Sequence, residues 1–164
     1  MKITVVRGDI TTQDVDAIVT AGNTSLRGGS GVNGAGHAAA GPRLLAASHA
    51  LAPCPAGSAV ITPAFDLAPI KWVIHAVGPR YSGPHAAAVL AAAYTSSLAR
   101  ADEVQAKSVA FPSISTGVYG YPAREAARIS VSALRDATTD VDVVLLVAFS
   151  EDAARHWRHA MAGS

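Results

Sequence analysis

The stretch SVAFPSISTGVYGYP (residues 108–122) contains three kinds of sequence that together indicate how the chain folds. SVAF (108–111) is a short apolar run, which is typical of a buried strand. PSISTGVYGYP (112–122) is rich in Gly, Ser and Thr, which favour a loop, and its last proline suits the first turn of a helix. The stretch therefore predicts a strand, a loop and a helix in succession, the unit from which α/β sheets are built.

Similar apolar runs recur along the chain and alternate with alanine-rich segments of helical spacing. The predicted strands are ITVV (3–6), AIVT (17–20), AVIT (59–62), WVIHAV (72–77), SVAF (108–111) and VVLLVAF (143–149). The predicted helices cover roughly 35–51, 86–104, 122–137 and 151–162. Ser150, followed by Glu151 and Asp152, is typical of a capped helix start. We expect residues 1–164 to form one α/β domain, a three-layer αβα arrangement with a parallel or mixed sheet.

A second glycine-rich loop, GGSGVNGAGH (28–37), follows the predicted strand AIVT. In open α/β sheets, ligands bind beyond the carboxyl ends of the strands, where loops lead into helices. Neither loop offers a cation, since no Lys or Arg lies between Gly28 and Pro42 or between Ser108 and Ala123. Backbone N–H groups and helix dipoles can hold an anion without one. The two loops indicate a small molecule that contains a diphosphate, and a flexible surface loop stays open as the alternative.

Familiar phosphate-binding motifs do not explain these loops. The chain contains no GxxxxGK[ST] sequence, which disfavours a P-loop nucleotide triphosphatase. Gly29, Gly31 and Gly34 match GxGxxG, but only after the second predicted strand. A lone match of this kind is a weak indication of a dinucleotide-binding dehydrogenase.

Composition limits the classes of protein to consider. The chain has 164 residues, with 13 Lys and Arg against 12 Asp and Glu, and a formal charge of +1. This balance argues against binding nucleic acid through a basic surface. No apolar run reaches the ~18 residues that span a membrane. The apolar run within MKITVVRGD (1–9) is too short for a signal peptide, and this segment is predicted to be a strand. A single cysteine, Cys54, cannot form an internal disulfide, so we expect a cytoplasmic protein.

Five longer motifs follow one another along the chain: GDIT (8–11), DAIVTAGN (16–23), GGSGVNGAGHAAAGP (28–42), WVIHAVGP (72–79) and AFPSISTGVYGYP (110–122). Together they resemble macrodomains, specifically the MacroD-like class that includes bacterial O-acetyl-ADP-ribose deacetylases. The resemblance covers nearly the whole chain, and several long motifs in order are far more specific than one loop. It implies a mixed six-stranded sheet between helices and a cleft that binds ADP-ribose.

The resemblance implies a role for two segments at the adenine. Asp9 matches the acidic residue that accepts a hydrogen bond from the adenine amino group, and Ile10 lies beside it. Phe149 falls where the family usually places an aromatic ring against the adenine. From the residues alone, Asp9 suits an N-cap before Thr11 and Thr12, and Phe149 suits the core.

For the diphosphate, the resemblance implies main-chain amides of the loop after the fifth strand. Gly117 lets this backbone approach the ligand closely, and Tyr119 is expected either to pack over the distal ribose or to be a structural aromatic residue. The implied ligand-binding residues of this loop are Ser113, Ser115, Thr116, Gly117, Val118 and Tyr119.

At the distal ribose, Asn23 matches the asparagine that orients the sugar hydroxyls, because an amide offers both a donor and an acceptor. Gly22, Gly31 and Val32 are the further ligand-binding residues implied there. The chain departs from the family at Asn33, since hydrolases of the family usually read GGGGVDGAIH where this chain reads GGSGVNGAGH. The usual aspartate positions or activates the attacking water. A neutral amide is a very poor base, and losing a general base lowers the rate by roughly 10²–10⁴.

Other side chains are weaker candidates for chemistry. His37 is either a base, because a helix dipole favours its neutral form, or, as we expect, a ring that hydrogen-bonds loop carbonyls. His75 lies within a predicted strand, which is typical of a core histidine. Cys54, between two prolines, is expected to be a loop residue rather than a nucleophile. Ser115 and Thr116 lack an obvious His–Asp partner, which disfavours a serine-hydrolase triad.

Two functions therefore stay open. The first is an enzyme that hydrolyses an ester at the distal ribose, either in O-acetyl-ADP-ribose or in mono-ADP-ribosylated Asp and Glu side chains of proteins. Asn23 and Asn33 would be its catalytic residues, and Asn33 is expected to reduce its efficiency. The second is a module that binds ADP-ribose or ADP-ribosylated proteins with little or no turnover. Neither needs a metal or a cofactor, and we expect a monomer with no membrane partner.

Overall fold

The computed structural model describes residues 1–26, 40–82, 85–117 and 119–163. The strands in these ranges are β1 (Lys2–Arg7), β2 (Ala17–Gly22), β3 (Ala59–Pro63), β4 (Trp72–Val77), β5 (Ser108–Phe111) and β6 (Val143–Ala148). The α-helices are α1 (Pro42–Ala50), α2 (Ala86–Glu103), α3 (Ala123–Asp136) and α4 (Glu151–Ala162). Short 3₁₀ helices lie at Ile10–Thr12 and Phe65–Leu67. All six predicted strands are confirmed.

The six strands form one mixed sheet in the order β1-β6-β5-β2-β4-β3. Neighbouring strands are parallel except β3, which runs antiparallel to β4. At the carboxyl ends, Arg7 pairs with Ala148 and Gly22 pairs with Val77. Because five strands run in the same direction, their carboxyl ends meet at one edge of the sheet, where ligands of such sheets bind.

Both faces of the sheet are covered, which explains why its strands read as continuous apolar runs. Successive residues of a strand point to opposite faces, so that Val19 belongs to the larger core and Ile18 to the smaller one. The larger core lies under α2, α3 and α4 and includes the buried ring of Trp157. The smaller core includes Leu44 of α1. This order of helices, sheet and helix is the predicted three-layer αβα fold.

Helix starts agree with the sequence at α4 and differ at α1. Ser150 caps α4 by accepting a hydrogen bond from a main-chain N–H of the first turn, at 3.2 Å. The prediction of one continuous helix over 35–51 is wrong, because Gly41 has φ 88° and ψ 178° and α1 begins at Pro42. Residues 35–39 of that prediction lie outside the described residues.

The helices within the described ranges are all too short or too polar to cross a bilayer.

Candidate functional site

The carboxyl ends of the parallel strands carry most of the residues that the sequence assigns to a cleft. Asp9 and Ile10 follow β1, Asn23 follows β2, and Phe149 follows β6. The loop over residues 112–122 follows β5 and leads into α3. These segments are far apart in the sequence, and the order of the strands in the sheet brings them to one edge.

A cavity of about 260 Å³ lies at the ends of β1 and β6. Asp9, Ile10 and Phe149 all line it, which places three predicted site residues around one space. The two strand ends are held together as the N–H of Gly8 donates to the carbonyl of Ala148 at 3.1 Å. Sequence reasoning missed four other lining residues, although two of them stand in the quoted motifs GDIT and AFPSISTGVYGYP. They are Arg7, Gly8, Pro112 and Val147.

Asp9 is an N-cap, and the geometry leaves part of its carboxylate for a ligand. Its Oδ1 accepts from the N–H of Thr11 at 2.8 Å and from the Thr11 hydroxyl at 2.6 Å. Its main-chain carbonyl accepts from Thr12 Oγ1 and from Gln13 Nε2, each at 2.9 Å. Within the described residues, Oδ2 accepts no hydrogen bond. The cap and the ligand-binding interpretation are therefore compatible, since each needs one oxygen.

Phe149 is not a core residue, so the interpretation that its type alone favours is wrong. Its exposed fraction is 80%, the largest among the exposed large apolar residues. The physical reason is position, because β6 ends at Ala148 and the chain turns at once into the cap of α4. An exposed ring at the wall of a cavity is available to a flat ligand.

The buried side chain of Tyr94, on α2, anchors the loop after β5. The Tyr94 hydroxyl donates to the carbonyl of Pro112 at 3.3 Å and accepts from the N–H of Ile114 at 3.1 Å. Complete burial raises the pKa of Tyr94 to about 12, so this hydroxyl keeps its proton at neutral pH. One buried side chain thus fixes two main-chain groups at the start of the loop.

Ser115 has the features of a strained, unsatisfied position. Its φ is 69°, in the left-handed region that non-glycine residues rarely adopt, and its exposed fraction is only 7%. Its Oγ is buried and finds no hydrogen-bond partner among the described residues. Gly78, just beyond β4, makes room for it, since a Cβ at this glycine would overlap Ser115 Oγ and Ile114 Cγ2. Strain and an unpaired buried polar atom concentrate at functional sites.

Hydrogen bonds between residues of the loop itself hold the rest of the loop in shape. Thr116 Oγ1 donates to Ser113 Oγ at 3.0 Å, and the N–H of Tyr121 donates to the carbonyl of Ser115 at 2.9 Å. A Cβ on Gly117 would meet no atom of the described residues within 4 Å, so these residues leave open space beside this exposed main chain. The loop therefore has exposed main chain at Gly117, and it begins at Pro112, which lines the cavity.

Asn23 is exposed and its side chain is held in place at one end. Its Oδ1 accepts from Ser25 Oγ at 2.7 Å, and its main-chain carbonyl accepts from the N–H of Leu26 at 3.0 Å. Among the residues that the structure describes, the Nδ2 donors of the amide have no partner, so they are available to a ligand. Gly22, the last residue of β2, would tolerate a Cβ, whose nearest neighbour is Leu26 Cδ2 at 3.6 Å.

Several predicted site residues cannot be placed. Gly31, Val32, Asn33, His37 and Val118 all lie outside the described residues.

The remaining candidates for chemistry have structural partners. His75 is buried and its Nε2 lies 2.9 Å from Thr62 Oγ1, which confirms a core histidine. Cys54 is buried too, and burial raises the pKa of its thiol, which disfavours the reactive thiolate. No histidine of the described chain hydrogen-bonds Ser115 or Thr116. The expectation against a serine-hydrolase triad stays a prediction, because His37 lies outside the described residues.

Sequence reasoning also missed a cation beside the loop after β5. The Arg80 guanidinium carbon lies 5.2 Å from the ring centroid of half-buried Tyr119. Arg80 comes from the segment after β4, so a search for Lys and Arg within the loops themselves does not find it. A signal was present only in the neighbouring motif WVIHAVGP, which directly precedes it.

Comparison with known proteins agrees with this arrangement. Residues 19–130 match the family described as Macro domain. An O-acetyl-ADP-ribose deacetylase of Klebsiella pneumoniae is 49% identical over 167 residues, which cover 96% of this chain and 95% of that protein. A macro domain-containing protein of Ralstonia nicotianae is 50% identical over 146 residues, which cover 88% of this chain and 85% of that protein.

Solved structures show the same likeness. An Oceanobacillus iheyensis macrodomain mutant with ADP-ribose has a TM-score of 0.91 and 38% identity, covering 96% of this chain and 90% of that one. A Trypanosoma brucei macrodomain in complex with ADP-ribose has a TM-score of 0.89 and 34% identity, covering 97% and 68%. The fold is a three-layer α/β domain with its candidate site at the carboxyl edge of a mixed sheet. The chain belongs to the macrodomain family, as its motifs imply.

Proposed function

We propose that this chain binds ADP-ribose and hydrolyses ADP-ribose esters, either O-acetyl-ADP-ribose or ADP-ribose joined to Asp and Glu side chains of proteins. One observation carries the proposal: the cavity lined by Asp9 and Phe149 shares its wall residue Pro112 with the strained loop at Ser115. An adenine pocket and a phosphate loop would then be continuous. The names of the Klebsiella deacetylase and of the ADP-ribose complexes support this ligand.

At the adenine, the free Oδ2 of Asp9 is suited to accept from an exocyclic amino group. The Thr11 hydroxyl and N–H hold the other oxygen, so the carboxylate does not need to be ordered when the ligand binds. Phe149 offers an exposed ring for stacking, and the buried side chain of Ile10 closes another wall of the cavity. A purine fits this combination of one acceptor and apolar walls.

At the diphosphate, the loop offers donors and no acidic side chain. The hydroxyl of Ser115 is buried and has no partner among the described residues, and a phosphate oxygen would satisfy it. The open space beside Gly117 lets main-chain N–H groups approach such an oxygen. The loop runs into α3, whose positive N-terminal end favours an anion.

The chemistry proposed is hydrolysis at the ester carbonyl. Water attacks the carbonyl carbon, the bond from that carbon to the ribose oxygen breaks, the ribose oxygen takes a proton, and a carboxylic acid leaves and ionises. Asn23 orients the ribose hydroxyls through its amide Nδ2 donors. Asn33 stands where the family has the aspartate that handles the water, so the step depends on the amide and on the substrate phosphate, and it is slow.

The second candidate is a binding module for ADP-ribose or ADP-ribosylated proteins with little or no turnover. Asn33 favours it, because an amide cannot take a proton from water at neutral pH. The binding residues of the two proposals are the same, so binding alone does not separate them.

The deciding experiment measures release of ADP-ribose from a modified protein by the natural chain and by Asn33→Asp. Equal and substantial rates support the enzyme, and activity in the aspartate variant alone supports the binding module. Calorimetry with free ADP-ribose tests the ligand itself, and a chain that gives no heat of binding contradicts both proposals.

A further inference from the structure

The segment after β4 carries a cation that the fold places against the proposed ligand loop. The guanidinium of Arg80 packs on the ring of Tyr119, with 5.2 Å between its carbon and the ring centroid. The two residues are 39 positions apart in the chain and meet only because β4 and β5 end at the same edge of the sheet. Because β4 pairs with β2, the segment that carries Arg80 lies on the Asn23 side of the sheet edge, the rim of the proposed cleft nearest the end assigned to the distal ribose.

The main chain and a second aromatic pair hold this rim together. The N–H of Tyr81 donates to the carbonyl of Tyr119 at 2.9 Å, which ties the Arg80 segment to the loop. The ring of Tyr81 packs edge-on against Tyr121, with 4.9 Å between centroids, and stays 51% exposed. These contacts of Tyr81 hold the main chain next to Arg80 against the loop, in addition to the contact that the Arg80 side chain makes with Tyr119.

The charge of Arg80 is available for a partner. It is exposed, and within the described ranges no acidic side chain forms an ion pair with it. Arg43 makes a matching ring contact, 4.9 Å from the centroid of Phe65, but its guanidinium already binds Asp66 at 2.9 Å. A guanidinium that stacks by its face keeps the N–H groups at its edge, and these suit the two oxygens of a carboxylate.

From this geometry we propose that Arg80 and Tyr119 form an acceptor subsite, which binds carboxylates of the acidic protein segment that carries the ADP-ribose. The inference rests on the proposed function and adds the chemistry of the acceptor. A chain attached at the distal ribose must leave the cleft over its rim, where Arg80 supplies charge and Tyr81 supplies exposed aromatic surface. O-acetyl-ADP-ribose carries only an acetyl group and does not reach this far.

The test compares three probes by calorimetry. Two are peptides that carry one ADP-ribose through a hydrolysis-resistant amide, one with flanking glutamates and one with flanking serines, and the third is free ADP-ribose. Arg80→Gln is expected to lower the affinity for the glutamate-flanked peptide about fivefold, because a good exposed ion pair contributes about that factor to binding. It is expected to change the affinity for free ADP-ribose less than twofold. Arg43→Gln, the matched control, should change none of the three.

Each other outcome has a defined meaning. An equal loss for free ADP-ribose overturns the subsite, because the guanidinium then serves the nucleotide. An unchanged affinity for the glutamate-flanked peptide also overturns it. An equal loss for both peptides shows that flanking charge is not recognised and overturns it as well. Failure of the natural chain to bind free ADP-ribose refutes the proposed function instead, so the two failures are distinguishable.

Discussion

Gly78 and Ser115 are in contact at the carboxyl ends of β4 and β5. The contact leaves no room for a side chain at residue 78, and Ser115 has a backbone conformation that is unusual for a residue other than glycine. A Cβ at Gly78 would overlap Ser115 Oγ, and Ser115 itself has φ 69°. The hydroxyl of Ser115 is buried and unpaired within the described chain. A glycine in one motif thus holds open the space that a serine in another motif occupies.

Gly78→Ala is expected to push the loop after β5 out of position. Overpacking of this kind destabilises a protein by about 1–3 kcal/mol, and the displaced Ser115 should lower ADP-ribose affinity at least ~10-fold, because each 1.4 kcal/mol is tenfold. Calorimetry and denaturant unfolding measure the two effects. Gly163→Ala is the control, since among the described atoms its Cβ would meet the carbonyl oxygen of His159 alone, at an ordinary 3.5 Å. Full affinity in Gly78→Ala contradicts the proposed role of the loop.

Asp9→Asn separates the cap from the proposed adenine contact. The amide keeps one oxygen for the N–H of Thr11 but replaces the second acceptor with a donor, which the adenine amino group cannot use. Stability should change by less than about 1 kcal/mol, since Asn is as good an N-cap as Asp. Affinity for ADP-ribose should fall about 10-fold or more, because hydrogen bonds to charged groups contribute ~1.5–3 kcal/mol. An unchanged affinity with unchanged stability would refute the contact.

Phe149→Ala is expected to affect binding and spare the fold. A side chain that is 80% exposed buries little area, so the free energy of unfolding should change by no more than about 0.5 kcal/mol. Stacking of a base on an aromatic ring contributes ~1–3 kcal/mol, which predicts at least about fivefold weaker binding of ADP-ribose. Leu51→Ala, another exposed apolar residue, should leave affinity unaltered. A large loss of stability in Phe149→Ala would mean that the ring is a core residue after all.

Tyr94 predicts a loss of stability at alkaline pH. Burial raises its pKa to about 12, above the ordinary value near 10, so the folded chain keeps a proton that the unfolded chain releases. The resulting stability is complete below pH ~10 and is lost as the pH rises to about 12. Tyr94→Phe should be less stable at neutral pH by ~1–3 kcal/mol, because Pro112 and Ile114 lose a buried partner.

The control for this prediction is the slope of the unfolding free energy against pH. Tyr94→Phe should show a shallower fall in unfolding free energy between about pH 10 and 12. A residual slope is expected, because burial also raises the pKa values of Tyr121 and Cys54. Identical slopes in both proteins would mean that Tyr94 does not titrate as described.

Sequence patterns were most successful where the physics is local. The apolar runs identified all six strands, because a strand covered on both faces needs apolar residues at every position. Helix starts followed their caps, as at Ser150. The continuous helix over 35–51 failed at Gly41, because alanine-rich composition does not reveal a backbone with positive φ.

Site residues were easier to predict when a single sequence motif carries the evidence for their role. Asp9, Ile10 and Phe149 line one cavity, although the residue type of Phe149 alone indicated the core, and their role at the adenine stays a prediction. Val147 was missed because nothing in an apolar strand shows which of its residues faces a cavity. Arg80 was missed because it approaches the loop after β5 from the segment that follows β4.

The sequence by itself determined the order of strands and helices, the two glycine-rich stretches and the membership of the macrodomain family, because each depends on residues close together in the chain. Only the tertiary structure decided the order of strands in the sheet, and with it which loop ends meet. The contact of Gly78 with Ser115 and the packing of Arg80 on Tyr119 both follow from that order. Contacts between distant segments depend on packing and leave no periodic signal in either segment.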